Sequence, residues 1–319
     1  MKTQLFSYDD ITLRPEHSSL KSRVDADTSI DFLGRKFSLP IIPANMEDVI
    51  DCNIALMLSE NNYFYIYHRF GQYGSGVPIH SFVANANNNN WRLINPSIGV
   101  GDKSLLILDD IYNNGYKVDV WTIDVAHADH ENVKPIVLFL KKNFSTSKII
   151  AGNVATADGY KYLADLGVDA VKVGIGGGSI CTTRFKTGFH IPTAYSVWDC
   201  ATNGNRDIPI IADGGAKHFG DVAKALVLGA DMVMSGRWFA ECIDSPAKIS
   251  HGKKIYRGST SYEAKGEKKN IEGQTIEIDH GCTYGERLAE LKQAIQSSIS
   301  YAGGKDLTAF NHVEWNLCD

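Results

Sequence analysis

Eight short apolar, β-branched runs recur along the chain, at 39–44, 63–67, 96–100, 118–123, 149–152, 170–173, 208–212 and 230–234. Between them lie stretches with apolar residues at helical spacing, such as 155–166 and 221–228. Strands that alternate with helices pair in parallel, because each helix carries the chain back across the sheet. About eight such units within roughly 200 residues match a (β/α)8 barrel, whereas a doubly wound sheet of that length has fewer strands. The expected fold is therefore α/β, a TIM barrel forming one domain over residues 1–319.

In such a barrel the working groups sit just after the strands. The runs here end in Asn45-Met46-Glu47-Asp48, His68-Arg69, Asp124-Val125-Ala126-His127, Gly152-Asn153, Asp213-Gly214-Gly215 and Ser235-Gly236-Arg237. The run at 170–173 opens into Gly174-Ile175-Gly176-Gly177-Gly178-Ser179-Ile180-Cys181-Thr182-Thr183-Arg184. Without a Cβ, that backbone can take positive φ and bring N–H and C=O groups against a phosphate or a cation. The same loop holds the thiol of Cys181 outside the core, among hydroxyls. Polar residues at successive strand exits are what a catalytic face requires and what a bare scaffold does not.

One segment breaks the rhythm. From about 253 to 281 the chain is polar, charged and punctuated by glycine, and it follows the last strand on the catalytic side. It is expected to be a flap that closes over substrate. Asn87-Asn88-Asn89-Asn90 is expected to be a surface loop. His127, near Asp124, reads equally as an acid/base partner or a structural histidine and is given no catalytic role. Cys52, Cys200, Cys242, Cys282 and Cys318 are expected to be packed or surface thiols, and Trp121 and Trp238 to belong to the core.

Bulk properties exclude several classes of function. The 319 residues carry a formal net charge of −5 and are 44% hydrophobic and 22% charged, so nothing draws the chain as a whole to nucleic acid or an anionic membrane. The six cysteines show no C-x-x-C pair or zinc spacing, which suits a reduced compartment. The first residues lack a signal-peptide core, and no apolar run approaches the ~20 residues of a membrane helix. A cytoplasmic protein without membrane or nucleic-acid partners is expected.

Together the motifs Ala44-Asn45-Met46, Gly174-Ile175-Gly176 through Cys181-Thr182-Thr183-Arg184, Ala212-Asp213-Gly214-Gly215 and Tyr256-Arg257-Gly258 resemble the IMP dehydrogenase/GMP reductase family. The resemblance covers nearly the whole chain. Two features are similar to the reductase branch: no pair of domains is inserted after the second strand, and the flap has Lys268-Lys269-Asn270-Ile271-Glu272-Gly273 in place of the dehydrogenase Arg-Tyr pair. The resemblance implies NADPH-dependent conversion of GMP to IMP and ammonia, with alternatives in a dehydrogenase acting on IMP or a catalytically silent nucleotide-binding barrel.

Carried onto this sequence, the family pattern makes Cys181 the nucleophile and Thr183 with Glu272 the proton-transfer pair. Ser179, Asp213, Gly214, Gly215, Ser235, Gly236, Gly258 and Gly273 correspond to substrate contacts. Ser22, Arg23, Arg69, Asp124, Val125, Ala126, Ile175, Gly176, Lys269, Ser297 and Ser298 correspond to cofactor contacts, the two serines from a neighbouring subunit of a homo-oligomer, by resemblance a tetramer. Carbonyls of Gly174, Gly176 and Cys181 correspond to a monovalent-cation site for K+. Three positions depart from the pattern: Gly177 replaces the usual proline, Lys269 an arginine, and Ala128 a glycine.

Overall fold

The computed structural model describes residues 4–70, 76–258 and 273–318. Its centre is a seven-stranded parallel sheet. Strands β1 (Ile11–Leu13), β2 (Ile30–Phe32) and β3 (Arg35–Phe37) precede it. The sheet itself comprises β4 (Ile41–Pro43), β5 (Ser97–Ile98), β6 (Val120–Asp124), β7 (Lys148–Val154), β8 (Ala170–Val173), β9 (Ile210–Asp213) and β10 (Met232–Ser235). The spatial order is β4-β10-β9-β8-β7-β6-β5, so the first of these strands in the chain lies beside the last, which is the curl of a TIM barrel.

All eight expected runs contribute, one of them less than expected. Residues 63–67 meet the sheet through a single parallel bridge, Tyr67 to Pro96, with Tyr67 N donating to Asn95 O and Ser97 N to Tyr67 O, both at 2.8 Å. The strands are mainly apolar, and β4, β8 and β10 are buried along their whole length because helices cover the outer face. Trp121 and Trp238 are buried, as expected, Trp121 packing edge-on against Phe144 at 5.3 Å between centroids.

Ahead of the barrel, β2 and β3 form a hairpin whose turn residues, Leu33 and Gly34, both take positive φ. β1 pairs antiparallel with β14 (Trp315–Leu317). The asparagine run is partly helical: helix Ile79–Asn88 continues through Asn88, because Ile79, Phe82, Val83 and Ala86 give it a buried face that outweighs the polar end. No helix among the described residues is long and apolar enough to cross a membrane.

The segment expected to be a flap begins and ends in strands. β11 (Ile249–Ser250), β12 (Lys253–Arg257) and β13 (Thr275–Ile278) form an antiparallel sheet. Arg257, at the end of β12, is clamped by buried Asp48, which accepts its Nη2 at 2.5 Å and its backbone N at 2.7 Å. Lys268, Lys269 and Glu272 lie outside the described residues.

Candidate active site

A cavity of about 230 Å³ opens at the carboxyl ends of the barrel strands. Its lining brings together Cys181, Thr183, Asp124, Val125, Ala126, Arg69, Ile175, Gly176, Asp213, Gly214, Gly236, Gly258 and Gly273 from segments spread over 200 residues of chain.

The thiol sits on the turn that follows β8. Cys181 N donates to Gly178 O at 3.1 Å, and its Sγ lies 3.1 Å from Thr183 Oγ1. The turn needs glycine at Gly174, which has φ 145 and where a Cβ would lie 2.2 Å from the Asp213 carbonyl oxygen. Cys181 also forms an antiparallel bridge with Gly273, and Gln274 N donates to Ile180 O at 3.1 Å. Gly258 N in turn donates to Gln274 O at 3.0 Å. The bases of the segment between β12 and β13 are thus tied to the thiol's own backbone. Thr183 stands beside the thiol; its expected partner Glu272 adjoins Gly273 in sequence but lies outside the described residues.

Asp124 and Asp213 belong to a charge cluster in the cavity lining that also takes in Asn153 and Lys172, and no role for Lys172 is read from the sequence alone. Lys172, 1% exposed in the middle of β8, donates to Asp124 Oδ1 at 2.9 Å, Asn153 Oδ1 at 2.8 Å and Asp213 Oδ2 at 3.2 Å. Asn153 Nδ2 completes it, donating to Asp213 Oδ2 at 2.9 Å and Gly174 O at 2.7 Å. Gly152 makes room for the lysine, since a Cβ there would lie 2.4 Å from Lys172 Cβ. Arg69 adds a second cation, its Nε 3.0 Å from the Asp124 carbonyl oxygen and 3.7 Å from Oδ2. Two cations therefore face two carboxylates. Burial works against the charge on Asp124, but Lys172 and Arg69 prevail and hold it below the usual carboxylate range. Burial likewise opposes the Lys172 ammonium, and the two carboxylates hold its pKa above the ordinary lysine value.

The other expected residues divide between places. Ser179 and Gly215 line a second cavity, of about 470 Å³, which shares Gly176, Gly178 and Cys181 with the first. Ser235 is buried at the end of β10, its carbonyl accepting Ala44 N at 2.9 Å. Gly236 lets the hydroxyl of buried Tyr256 approach, for a Cβ would lie 2.2 Å from it. Ser22, Arg23, Ser297 and Ser298 line neither cavity. Arg23 reaches Ser297 Oγ at 3.5 Å and stacks over the Tyr301 ring at 5.1 Å, while Ser298 Oγ donates to Ala294 O within its own helix.

The chemistry of these donors suits a nicotinamide dinucleotide. Asp124, Val125 and Ala126 offer polar and apolar contacts at one wall, and Arg69 reaches across Gly99, where a Cβ would lie 3.5 Å from Nη1. One member of the cation set is already engaged: Gly174 O accepts Asn153 Nδ2 at 2.7 Å.

Residues 5–315 match the family model described as the IMP dehydrogenase / GMP reductase domain. A protein named GMP reductase from Bacillus licheniformis is 40% identical over 318 residues, which is 98% of this chain and 95% of that relative. Another of that name, from Oceanobacillus iheyensis, is 41% identical over 318 residues, with 98% and 95% covered. A third, from Helicobacter pylori strain G27, is 40% identical over 319 residues, with 98% and 96% covered.

Proposed function

The chain belongs to the IMP dehydrogenase / GMP reductase family, and from that premise we propose that it is a GMP reductase, an oxidoreductase that converts GMP to IMP and ammonia with NADPH. The observation that carries this reading is a thiol, Cys181, 3.1 Å from the hydroxyl of Thr183 at the mouth of a barrel cavity. The name borne by the relatives supports reductase over dehydrogenase.

Cys181 sulfur adds to purine C2, and the C2–N2 bond breaks as ammonia leaves. The departing nitrogen needs a proton, which Thr183 hands on from Glu272, a carboxylate on the segment that begins at the Asp48–Arg257 clamp. Bound NADPH would supply a hydride to C2, on which the C–S bond would break, the thiol of Cys181 would return and IMP would be released. Two protons are taken up overall, and both leave on the departing nitrogen as ammonium. Asp213 holds the ribose hydroxyls. Ser179, Gly214, Gly215, Ser235 and Gly236 take the 5′-phosphate, with Gly258 and Gly273 against the base. Asp124, Val125, Ala126, Arg69, Ile175, Gly176 and Lys269 hold the cofactor. The closing segment keeps water from the thioimidate, whose hydrolysis gives XMP instead.

Ser22 and Arg23 contribute to the cofactor site, and Ser297 and Ser298, which line neither cavity, contribute to that of a second copy within a homo-oligomer of single-domain barrels. A K+ ion at the carbonyls of Gly174, Gly176 and Cys181 belongs to the same reading. The experiment is a paired assay of one preparation: IMP and ammonia from GMP plus NADPH, and XMP from IMP plus NAD. XMP as the faster product overturns the reading; no product from either pair, with GMP still bound, favours a silent nucleotide-binding barrel.

A further inference from the structure

Thr193 opens helix Thr193–Asn203, directly behind the nucleophile's loop. Its side chain is 3% exposed, and its Oγ1 is buried without a hydrogen-bond partner. A Cβ on Gly177 would lie 2.3 Å from that oxygen, and one on Gly215 would lie 3.0 Å from it. The same imagined Cβ on Gly177 would meet Gly215 N at 3.4 Å, and one on Gly214 would meet Gly178 N at 3.1 Å. The two glycine turns therefore pack backbone against backbone, with the Thr193 hydroxyl in the seam. One turn carries Cys181 and the other follows Asp213.

A buried hydroxyl with no acceptor costs a protein free energy and contributes none. Its surroundings say what would satisfy it. The adjoining cavity is lined by Arg184, Lys217 and His190 and by no acidic residue among the described ones. The helix N-terminus points the positive end of its dipole there. A second hydroxyl at that wall, Tyr8 OH, is also buried and without a partner.

We propose that Thr193 is a positioning residue with two linked tasks. Its bulk fills the place of a side chain at Gly177 and so sets the spacing between the nucleophile's turn and the phosphate turn. Its hydroxyl finds its acceptor when the phosphate of a purine nucleotide draws the two turns together. Gly177 has no positive φ, so alanine is barred there by the threonine alone and not by the backbone. Thr193 has little freedom to turn aside, being β-branched, helical and buried, with Cγ2 directed at Gly174. The second task rests on the reductase reading; the first does not.

The test uses the full chain in four variants. In Gly177→Ala the rate of Cys181 alkylation by iodoacetamide, measured without nucleotide, should change by about threefold or more and kcat should fall by about tenfold. In Gly177→Ala/Thr193→Ala both should return to within about threefold of Thr193→Ala alone. Thr193→Val should leave the melting temperature of the free protein unchanged, because an unpaired hydroxyl is lost, while raising KM for GMP about fivefold with kcat near wild type. A double variant no better than Gly177→Ala, or a Thr193→Val protein that melts several degrees lower with KM unchanged, overturns the proposal. Recovery of folding in the double variant where Gly177→Ala fails to fold supports it. The alkylation arm needs no turnover, so it stands or falls apart from the reductase reading.

Discussion

Cys181 and Gly273, 92 positions apart, are paired in one antiparallel bridge. The nucleophile and the end of the segment that carries Glu272 therefore share a hydrogen-bonded backbone. A change of position at Gly273 is thus transmitted to the backbone of Cys181 directly.

Cys181→Ala should abolish turnover while GMP affinity stays within about tenfold, since ribose and phosphate contacts supply most of the binding. Cys200→Ala is the control. That thiol is fully buried and pushed up to about 12 by burial, so it supplies no thiolate and the variant should turn over normally. Residual activity above about one percent in the first variant would remove Cys181 from the mechanism.

Glu272→Gln should separate the two halves of the reaction. Loss of ammonia needs the carboxylate's proton, so GMP reduction should fall by ~10²-fold or more, while formation of the covalent intermediate from IMP and NADP+ survives. Equal loss of both would make Glu272 a binding or folding residue.

Lys172→Met removes the cation between Asp124 and Asp213 and should cost about 3–5 kcal/mol, the usual result of stranding a buried charge. The pH dependence should also change sign. In the native protein Asp124 lies below its unfolded pKa, so its contribution is present above that value and is lost as pH falls through the folded one. Without Lys172 burial dominates, the folded pKa rises above the unfolded one, and stability grows as the pH is lowered toward it. Thermal melts from about pH 3 to 8 read this out, the native slope lying below the usual carboxylate value and the variant's above it; parallel curves for the two proteins would contradict it.

His68 gives a second pH signature. It is buried, and burial lowers its pKa from 6.5 to about 4. In that window the unfolded chain binds the proton and the folded one does not, so stability declines as pH falls from 6.5 toward 4. His68→Gln should flatten that part of the acid-unfolding curve, and an unchanged slope would place its origin elsewhere.

The barrel was legible because each strand is an apolar run of its own, and the nucleophile loop because glycine and thiol stand together in sequence. Lys172 was not, although it lies inside one of those runs. A lysine in a strand reads as a surface residue, and the carboxylates that make its burial tolerable are 48 and 41 positions away. Thr193 was hidden for a related reason: its significance is the space left by Gly177, a relation between two residues and not a property of either. The segment after β10 read as loop because its composition is polar, but Lys254 in β12 is buried with its ammonium on Ser245 O and Oγ, both at 2.7 Å, an arrangement that composition does not announce. The asparagine run misled in the other direction, since helix Ile79–Asn88 is decided by its inner face.

The pairing of Ile11–Leu13 with Trp315–Leu317 joins two segments that stand on either side of the whole barrel in the chain. Strand β1 must wait, its edge unpaired, through the synthesis of every barrel strand before its partner emerges. This pair therefore closes only after every barrel strand has been made, and the exposed edge of β1 is the surface that a nascent chain would have to shield in the meantime.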